Sequence, residues 1–380
     1  MGLIDPLLQP LALRGLVLPN RVVMAPMTRY RSPGGVPTAE VADYYARRAA
    51  TGLGLILTEG VGLGHYAAVD HPDIPRIASA EQQAGWRCVC DAVHGAGGRI
   101  IPQLWHQGPM WNVEYAGAGT GTPMRPSGIW GPADGVISFR PEGRAQSLAP
   151  VPAMSESDIA EVIAAYARAA RDAVALGADG IAIHAAHGYL IDSFLWDYTN
   201  RRDDRWGGDP ARRAAFGAAV VRAIRAEVGE ARPIVLRFSQ FKMQDYRAVL
   251  ADTPAGLEAL LGPLADAGVD LFDASQRYFD TPTFAGSALN LAGWAKRLTG
   301  KASMTVGGVA LDKASGSARH VDDSQPSVNN LPLLLERFGR GEFDLVAVGR
   351  AILNDPAWFA RAVADAPFLP FDPANLERLA

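Results

Sequence analysis

The chain has 380 residues, with 36 Lys and Arg against 40 Asp and Glu, a net charge of −4, and 48% hydrophobic residues. That is enough apolar material for a substantial core, in one long α/β domain or in two or three shorter ones. Acidic and basic residues are interspersed, which excludes the basic footprint of a nucleic-acid binder; no apolar run reaches the roughly 18 residues of a membrane-spanning helix, and MGLIDPLLQP lacks the basic flank and apolar stretch of a secretory signal.

Taken in chain order, LALRGLVLPN reads as two short strands about Gly15, a hairpin fit to plug the closed end of a barrel. Eight apolar runs follow: 21–27, 53–60, 99–106, 180–186, 233–239, 270–275, 302–309 and 344–350. None alternates polar with apolar, so both faces of each strand are expected to be buried, as in a parallel sheet. Amphipathic segments separate them. The first opens at Thr38, a side chain that caps helices well. The helix around AGWRCVCDAVHGAGG ends at its glycines. Its two cysteines, Cys88 and Cys90, are two apart and point in different directions. That spacing suits neither a disulfide nor zinc, and predicts buried, inert thiols in a reducing cytoplasm. SESDIAEVIAAYARAARDAVALG begins with Ser155 and Asp158, close to a capping box, and ends at Gly177. Asp209 and Pro210 open the next helix. Further helical segments are expected over 253–268, 286–300, 330–341 and 355–366.

Eight strand–helix units predict a single (β/α)8 TIM barrel over residues 1–380, with an N-terminal β-hairpin. A doubly wound sheet ranks lower, because no GxGxxG follows the first strand. The stretch 107–154, rich in Gly, Pro and Trp, is too long for a plain connection and reads as a lid after strand 3. The polar stretch 312–330 reads as a loop.

Active sites of such barrels lie at the C-terminal ends of the strands. Those ends carry Pro26, Met27 and Thr28; Gly60; Gln103, Trp105 and His106; His184, then His187 and Tyr189; Arg237; Gly307 and Gly308; Gly349 and Arg350. Two glycines followed one unit later by Gly–Arg have the composition of a phosphate site. The remaining groups offer donors and acceptors of both senses, which a large flat heteroaromatic with a phosphate tail would use. No carboxylate pair and no lysine is expected at a strand end.

Seven histidines occur in the chain, and two of them stand three apart before Tyr189. They read as zinc ligands, as packed core, or as hydrogen-bond donors aimed at a substrate. Zinc needs a third ligand, and Asp192, on the following turn, is the only near candidate. Arg237 reads either as a structural ion pair or as a functional cation; charge on a buried strand is rare and favours function.

At this point the chain resembles the old yellow enzyme family of FMN-dependent ene-reductases. The resemblance rests on NRVVMAPMTR, TEGVGLG, IPQLWHQG, GADGIAIHAAHGYLIDSFL, TNRRDDRWGGDPARRAAF, LRFS, TVGGVALD and VGRAILNDPAW, in the family's order over nearly the whole chain. It implies noncovalent FMN, with Pro26, Met27 and Thr28 lining the flavin and Thr28 standing where some members carry cysteine. It also implies Gly60 behind the ring, Gln103 on its pyrimidine edge and Arg237 on its N1/C2 edge. Gly307, Gly308, Gly349 and Arg350 are implied for the phosphate. NADPH or NADH would reduce the flavin, which would give hydride to the β carbon of an α,β-unsaturated carbonyl or nitro compound. His184 and His187 are implied to bind the substrate oxygen, and Tyr189 to protonate the α carbon. The expected partners are small electrophilic alkenes, with no nucleic acid and no membrane; the chain would be a monomer or a homo-oligomer.

Overall fold

The computed structural model describes residues 2, 4–116, 121–137, 147–311 and 330–379. Most of the expected 312–330 loop and parts of the expected 107–154 lid lie outside the described residues.

A two-stranded antiparallel hairpin, β1 (Leu11–Leu13) and β2 (Leu16–Leu18), precedes the barrel. Eight parallel strands then close on themselves in the order β10–β3–β4–β5–β6–β7–β8–β9. They are β3 (Val22–Met24), β4 (Leu55–Gly62), β5 (Ile100–Trp105) and β6 (Ile181–His184), then β7 (Ile234–Ser239), β8 (Leu271–Ser275), β9 (Ala302–Val306) and β10 (Leu345–Val348). The barrel and its hairpin are thus the expected fold.

The uninterrupted apolar runs serve two cores. Val23, Leu55, Ile101, Val235, Leu271 and Leu345 fill the barrel. Val22, Met24 and Ile56, on alternate positions, face the surrounding helices. Leu13, Leu16 and Leu18 of the hairpin join the barrel-filling cluster, so the hairpin stoppers one mouth. It is fixed there by the Gly15 N–H, which donates to Ala231 O at 3.0 Å, and by Arg14 Nε, which donates to Asp270 Oδ1 at 2.6 Å. Both partners precede strands, so the stopper is at the N-terminal mouth. Leu18 is completely buried; truncating such a side chain to Ala costs about 2–5 kcal/mol.

The helices begin where their caps predict. Thr38 caps α1 (Ala39–Ala49). Ser79 and Gln82 form a capping box on α2 (Ala80–Gly95), and Ser155 and Asp158 form one on α3 (Glu156–Ala175). Asp209 caps the short helix Pro210–Arg213, which leads into α4 (Ala215–Val228). Thr253 caps α5 (Pro254–Ala267). Two segments are shorter than expected: that from 286 becomes helical only over α6 (Leu291–Thr299), and that over 355–366 only over Trp358–Val363. Asn290 takes the Gly293 N–H on its side chain at 2.8 Å and starts the helix late. The expectation for the cysteines needs correction. Cys90 is buried, and burial pushes its thiol up to about 12, but Cys88 is exposed. Two residues on a helix turn the chain by roughly 200°, so one thiol faces in and the other out.

Candidate active site

The open, C-terminal mouth of the barrel holds two adjoining cavities. The first spans about 450 Å³, open solvent at its mouth included, and is lined by Pro26, Thr28, Gly60, Gln103, Trp105, His184, His187, Tyr189 and Arg237. The second, about 1070 Å³, shares Pro26 and Arg237 with it and reaches Met27, Gly307, Gly308, Gly349 and Arg350. Of the strand-end residues read from the sequence, all line one cavity or the other except His106, which is fully buried and lines neither.

Strand register brings them together. Gly60 pairs with Gln103 across β4 and β5, and His184 pairs with Arg237 across β6 and β7. The loop that carries Thr28 is held from behind by Glu59, whose Oε2 accepts the Arg29 N–H at 2.9 Å. Burial lifts the Glu59 carboxyl to about 7. Arg29 in turn donates to Leu376 O and Arg378 O at 2.9 and 2.8 Å, pinning the C-terminal segment over this loop.

His184 stacks beside Trp105, with ring centroids 6.0 Å apart, and meets the Tyr189 ring edge-on at 4.7 Å. The Ala186 N–H donates to His184 Nδ1 at 3.4 Å. That tautomer leaves the proton on Nε2 as a donor. His187 is seated by its own N–H, which donates to Ser239 Oγ at 2.9 Å, and by a 2.8 Å contact between Nε2 and Ser275 Oγ. An incoming oxygen therefore meets Nδ1 or takes Nε2 from Ser275. Tyr189 donates its phenol proton to Met243 Sδ at 3.4 Å, a weak acceptor that a better one displaces. Burial pushes the phenol upward, so it stays protonated.

Both imidazoles are held neutral. Burial, then the neighbouring His187 and the Arg237 charge, lower His184 well below 6.5. Burial, Arg237 and Lys242 lower His187 to about 3. In the unfolded chain His187 would protonate near 6.5 but in the fold only near 3, so it contributes stability that is lost as pH falls through that window. Nitrogen NMR of labelled imidazole should show His187 neutral from pH 8 to pH 5 and titrating only near 3. A midpoint at the ordinary value would show the ring to be solvated.

Arg237 forms an ion pair, and it also lines both cavities. Its Nε lies 2.5 Å from Asp273 Oδ2 on β8, a partner absent from the strand-end reading. Its Nη2 is buried and has no partner among the described residues, as is the Gln103 amide nitrogen. Two buried donors left unmatched on one cavity wall point to a ligand with acceptors. In the second cavity Gly307 has φ +122, and a β carbon there would lie 2.4 Å from Gln276 O. Only glycine allows that approach. Asn330, also absent from the sequence reading, steadies the turn by donating to Gly308 O at 2.8 Å. A flat ring system with polar edges and a phosphate tail fits these donors and this glycine cradle.

Other placements differ from the reading. Asp192 lies within the helix Leu190–Leu195, not on a turn, and is fully buried. Lys242, three residues beyond β7 and so not at a strand end, is buried against it. Asp192 accordingly faces Lys242 rather than His184 and His187, and no group of three or more His, Cys, Asp or Glu side chains among the described residues is placed to hold a metal ion. Trp111 and Trp130 are buried in the described part of the 107–154 stretch and are not among the cavity-lining residues.

The model of the NADH:flavin oxidoreductase / NADH oxidase family matches residues 6–320. The chain belongs to the old yellow enzyme family. It is thus an FMN-dependent oxidoreductase of the NADH:flavin type. A chanoclavine-I aldehyde reductase of Penicillium roqueforti is 34% identical over 97% of this chain and 92% of its own. A putative 12-oxophytodienoate reductase 4 of Oryza sativa is 37% identical over 66% of this chain; the match spans 63% of the rice protein, less than two thirds of its length. Among solved structures, the old yellow enzyme homologue from Zymomonas mobilis superposes with a TM-score of 0.79 at 26% identity, covering 98% of this chain and 96% of that one. Morphinone reductase, solved in complex with tetrahydroNAD, gives 0.77 at 28% identity over 97% and 93%. No helix among the described residues is long and apolar enough to cross a membrane.

Proposed function

We propose that this old yellow enzyme is an ene-reductase, which uses NADH or NADPH to saturate the carbon–carbon double bond of α,β-unsaturated carbonyl or nitro compounds. The observation that carries the reading is the one cavity that gathers His184, His187 and Tyr189 with the unmatched donors of Gln103 and Arg237. Pro26, Met27, Thr28, Gly60, Gln103 and Arg237 would hold the FMN ring, and Gly307, Gly308, Gly349 and Arg350 its phosphate. When bound, FMN supplies a hydride acceptor for the nicotinamide and a hydride donor for the alkene.

The chain's own groups do the rest. Neutral His184 and His187 place N–H donors on the substrate oxygen and stabilise the negative charge that gathers there as the β carbon is reduced. Tyr189 keeps its proton because it is buried, and can deliver it to the α carbon. Trp105, packed against His184, limits where the alkene lies. The names of the relatives, reductases of 12-oxophytodienoate and of chanoclavine-I aldehyde, agree with oxo compounds and aldehydes as the substrate class. A cytoplasmic location fits the two cysteines left as thiols.

The purified protein should be yellow, release FMN rather than FAD on heating, and oxidise NADH or NADPH in the presence of 2-cyclohexenone. A colourless protein that cannot be reconstituted with FMN would contradict the assignment. Replacing Arg350 by Ala should weaken FMN retention by roughly 10- to 100-fold, the worth of a charge-assisted phosphate contact, and leave the apo barrel folded. Equilibrium dialysis with fluorescence detection measures it; unchanged retention would move the phosphate elsewhere.

A further inference from the structure

A buried lysine–aspartate pair stands directly behind the wall that carries His187 and Tyr189. Both side chains are 0% exposed, and Lys242 Nζ lies 2.7 Å from Asp192 Oδ1. Burying two charges is unfavourable, and an apolar pair of similar volume often stabilises a fold as well or better. Packing alone therefore does not account for the pair.

Its remaining contacts do. Asp192 Oδ2 accepts the Gly188 N–H at 2.6 Å, and Lys242 Nζ also donates to Ser239 O at 3.2 Å. His187 and Gly188 are consecutive left-handed residues, with φ +64 and +83. For histidine this conformation is disfavoured and must be imposed by the surroundings. The surroundings are the segment after β7. Ser239 Oγ accepts the His187 N–H, the Met243 N–H donates to His187 O at 3.1 Å, and Gln244 Nε2 donates to Gly188 O at 3.0 Å. Asp192 completes the clamp by taking the Gly188 amide. Tyr189 is the next residue, so the direction of its phenol follows from this turn.

We propose that Asp192, charge-balanced by Lys242, is a positioning residue that fixes the left-handed His187–Gly188 turn and so aims the Tyr189 phenol at the substrate carbon. Neither Asp192 nor Lys242 is among the residues lining the two cavities. The proposal rests on the reading of Tyr189 as proton donor.

Two charge-free double variants of the holoenzyme separate orientation from stability. Asp192→Asn/Lys242→Met keeps an oxygen to accept the Gly188 N–H. Asp192→Leu/Lys242→Met has nearly the same shape and offers none. The readout is the ratio of 2-cyclohexenone reduction, which needs a proton on carbon, to quinone reduction, which does not; FMN content and melting temperature are recorded beside it. The Asn variant should keep the ratio within about threefold, and the Leu variant should lower it by about tenfold or more, with quinone reduction and FMN content preserved, because small misplacements of a reacting group are expensive. If the Leu variant keeps the ratio, or loses both reactions alike, the pair is merely structural and the proposal is overturned. Should that variant fail to fold, Asp192→Ala/Lys242→Met gives the same comparison, and failure of both also assigns the pair to stability alone. Tyr189→Phe is run alongside: if it leaves the ratio unchanged, the donor assignment has failed rather than the positioning role.

Discussion

Replacing Tyr189 by Phe should slow enone reduction by roughly 10²–10⁴-fold, the usual worth of one general acid, while oxidation of NADH or NADPH by the protein keeps nearly its normal rate. The substitution removes one hydroxyl and retains the ring that meets Trp105 edge-on at 4.9 Å and His184 at 4.7 Å. The lost hydrogen bond goes to a thioether at 3.4 Å, so little stability goes with it. Reduction of the protein by nicotinamide requires nothing of the phenol. Quinones need no proton on carbon and should still be reduced. Nitroalkenes should suffer less than enones, since the nitronate formed is stable and is protonated later by water. Stopped-flow measurement of the two half-reactions separates these outcomes, because damage to the fold cannot fall on one step alone. Equal slowing of both halves, or intact enone reduction, would make Tyr189 a packing residue.

The double variant His184→Ala/His187→Ala should be affected still more strongly in its handling of oxygen anions. A preorganised donor to a developing oxyanion contributes roughly 10²–10³-fold, and this variant loses both. Phenols provide a readout without turnover, since a phenolate oxygen resembles the charged oxygen of the reduced substrate. The parent should bind phenols with a long-wavelength charge-transfer band; the variant should lose the band and bind enones poorly while remaining yellow. Alanine at 187 inherits the left-handed backbone already held at φ +64 by the Ser239 and Met243 contacts, so the turn should survive. The neutral state of both rings also matters to the sign of the pH effect. With His187 titrating near 3, phenolate binding should follow the ionisation of the phenol itself, not that of an imidazole. An unchanged phenol titration in the variant would give the histidines another role.

The features that were legible in the sequence are those with a local or periodic signal. The strands were visible because runs such as PIVLRFS show no alternation, and the helix starts because Thr38, Ser155 with Asp158, and Asp209 are strong caps. Reading each strand to its C-terminal end found residues of both cavities, but not Phe241, Tyr246, Arg277 and Tyr278, which line the second one from loops. What escaped were contacts between distant positions that leave no pattern. Asp273 sits mid-run in DLFDAS, and only the register of β7 against β8 brings it beside Arg237. Lys242 meets Asp192 from 50 residues away, and Asn330 reaches Gly308 from 22 away. Ser239 and Ser275, which seat His187, look like ordinary strand-end serines. The helical spacing that points Cys88 and Cys90 in different directions also means that both cannot face the core, so burial of both thiols was not a consistent expectation.

On the proposed function, the wall of His184, His187 and Tyr189 directs reduction to a carbon–carbon double bond, with hydride and proton arriving at different carbons from different sources. Turnover of 2-cyclohexenone in D2O with unlabelled NADH or NADPH, followed by NMR of the product, tests it directly. The expected product is the saturated ketone, with solvent deuterium at the α carbon and hydrogen from the nicotinamide at the β carbon. Solvent deuterium at the β carbon alone, or an allylic alcohol with the double bond intact, would contradict it.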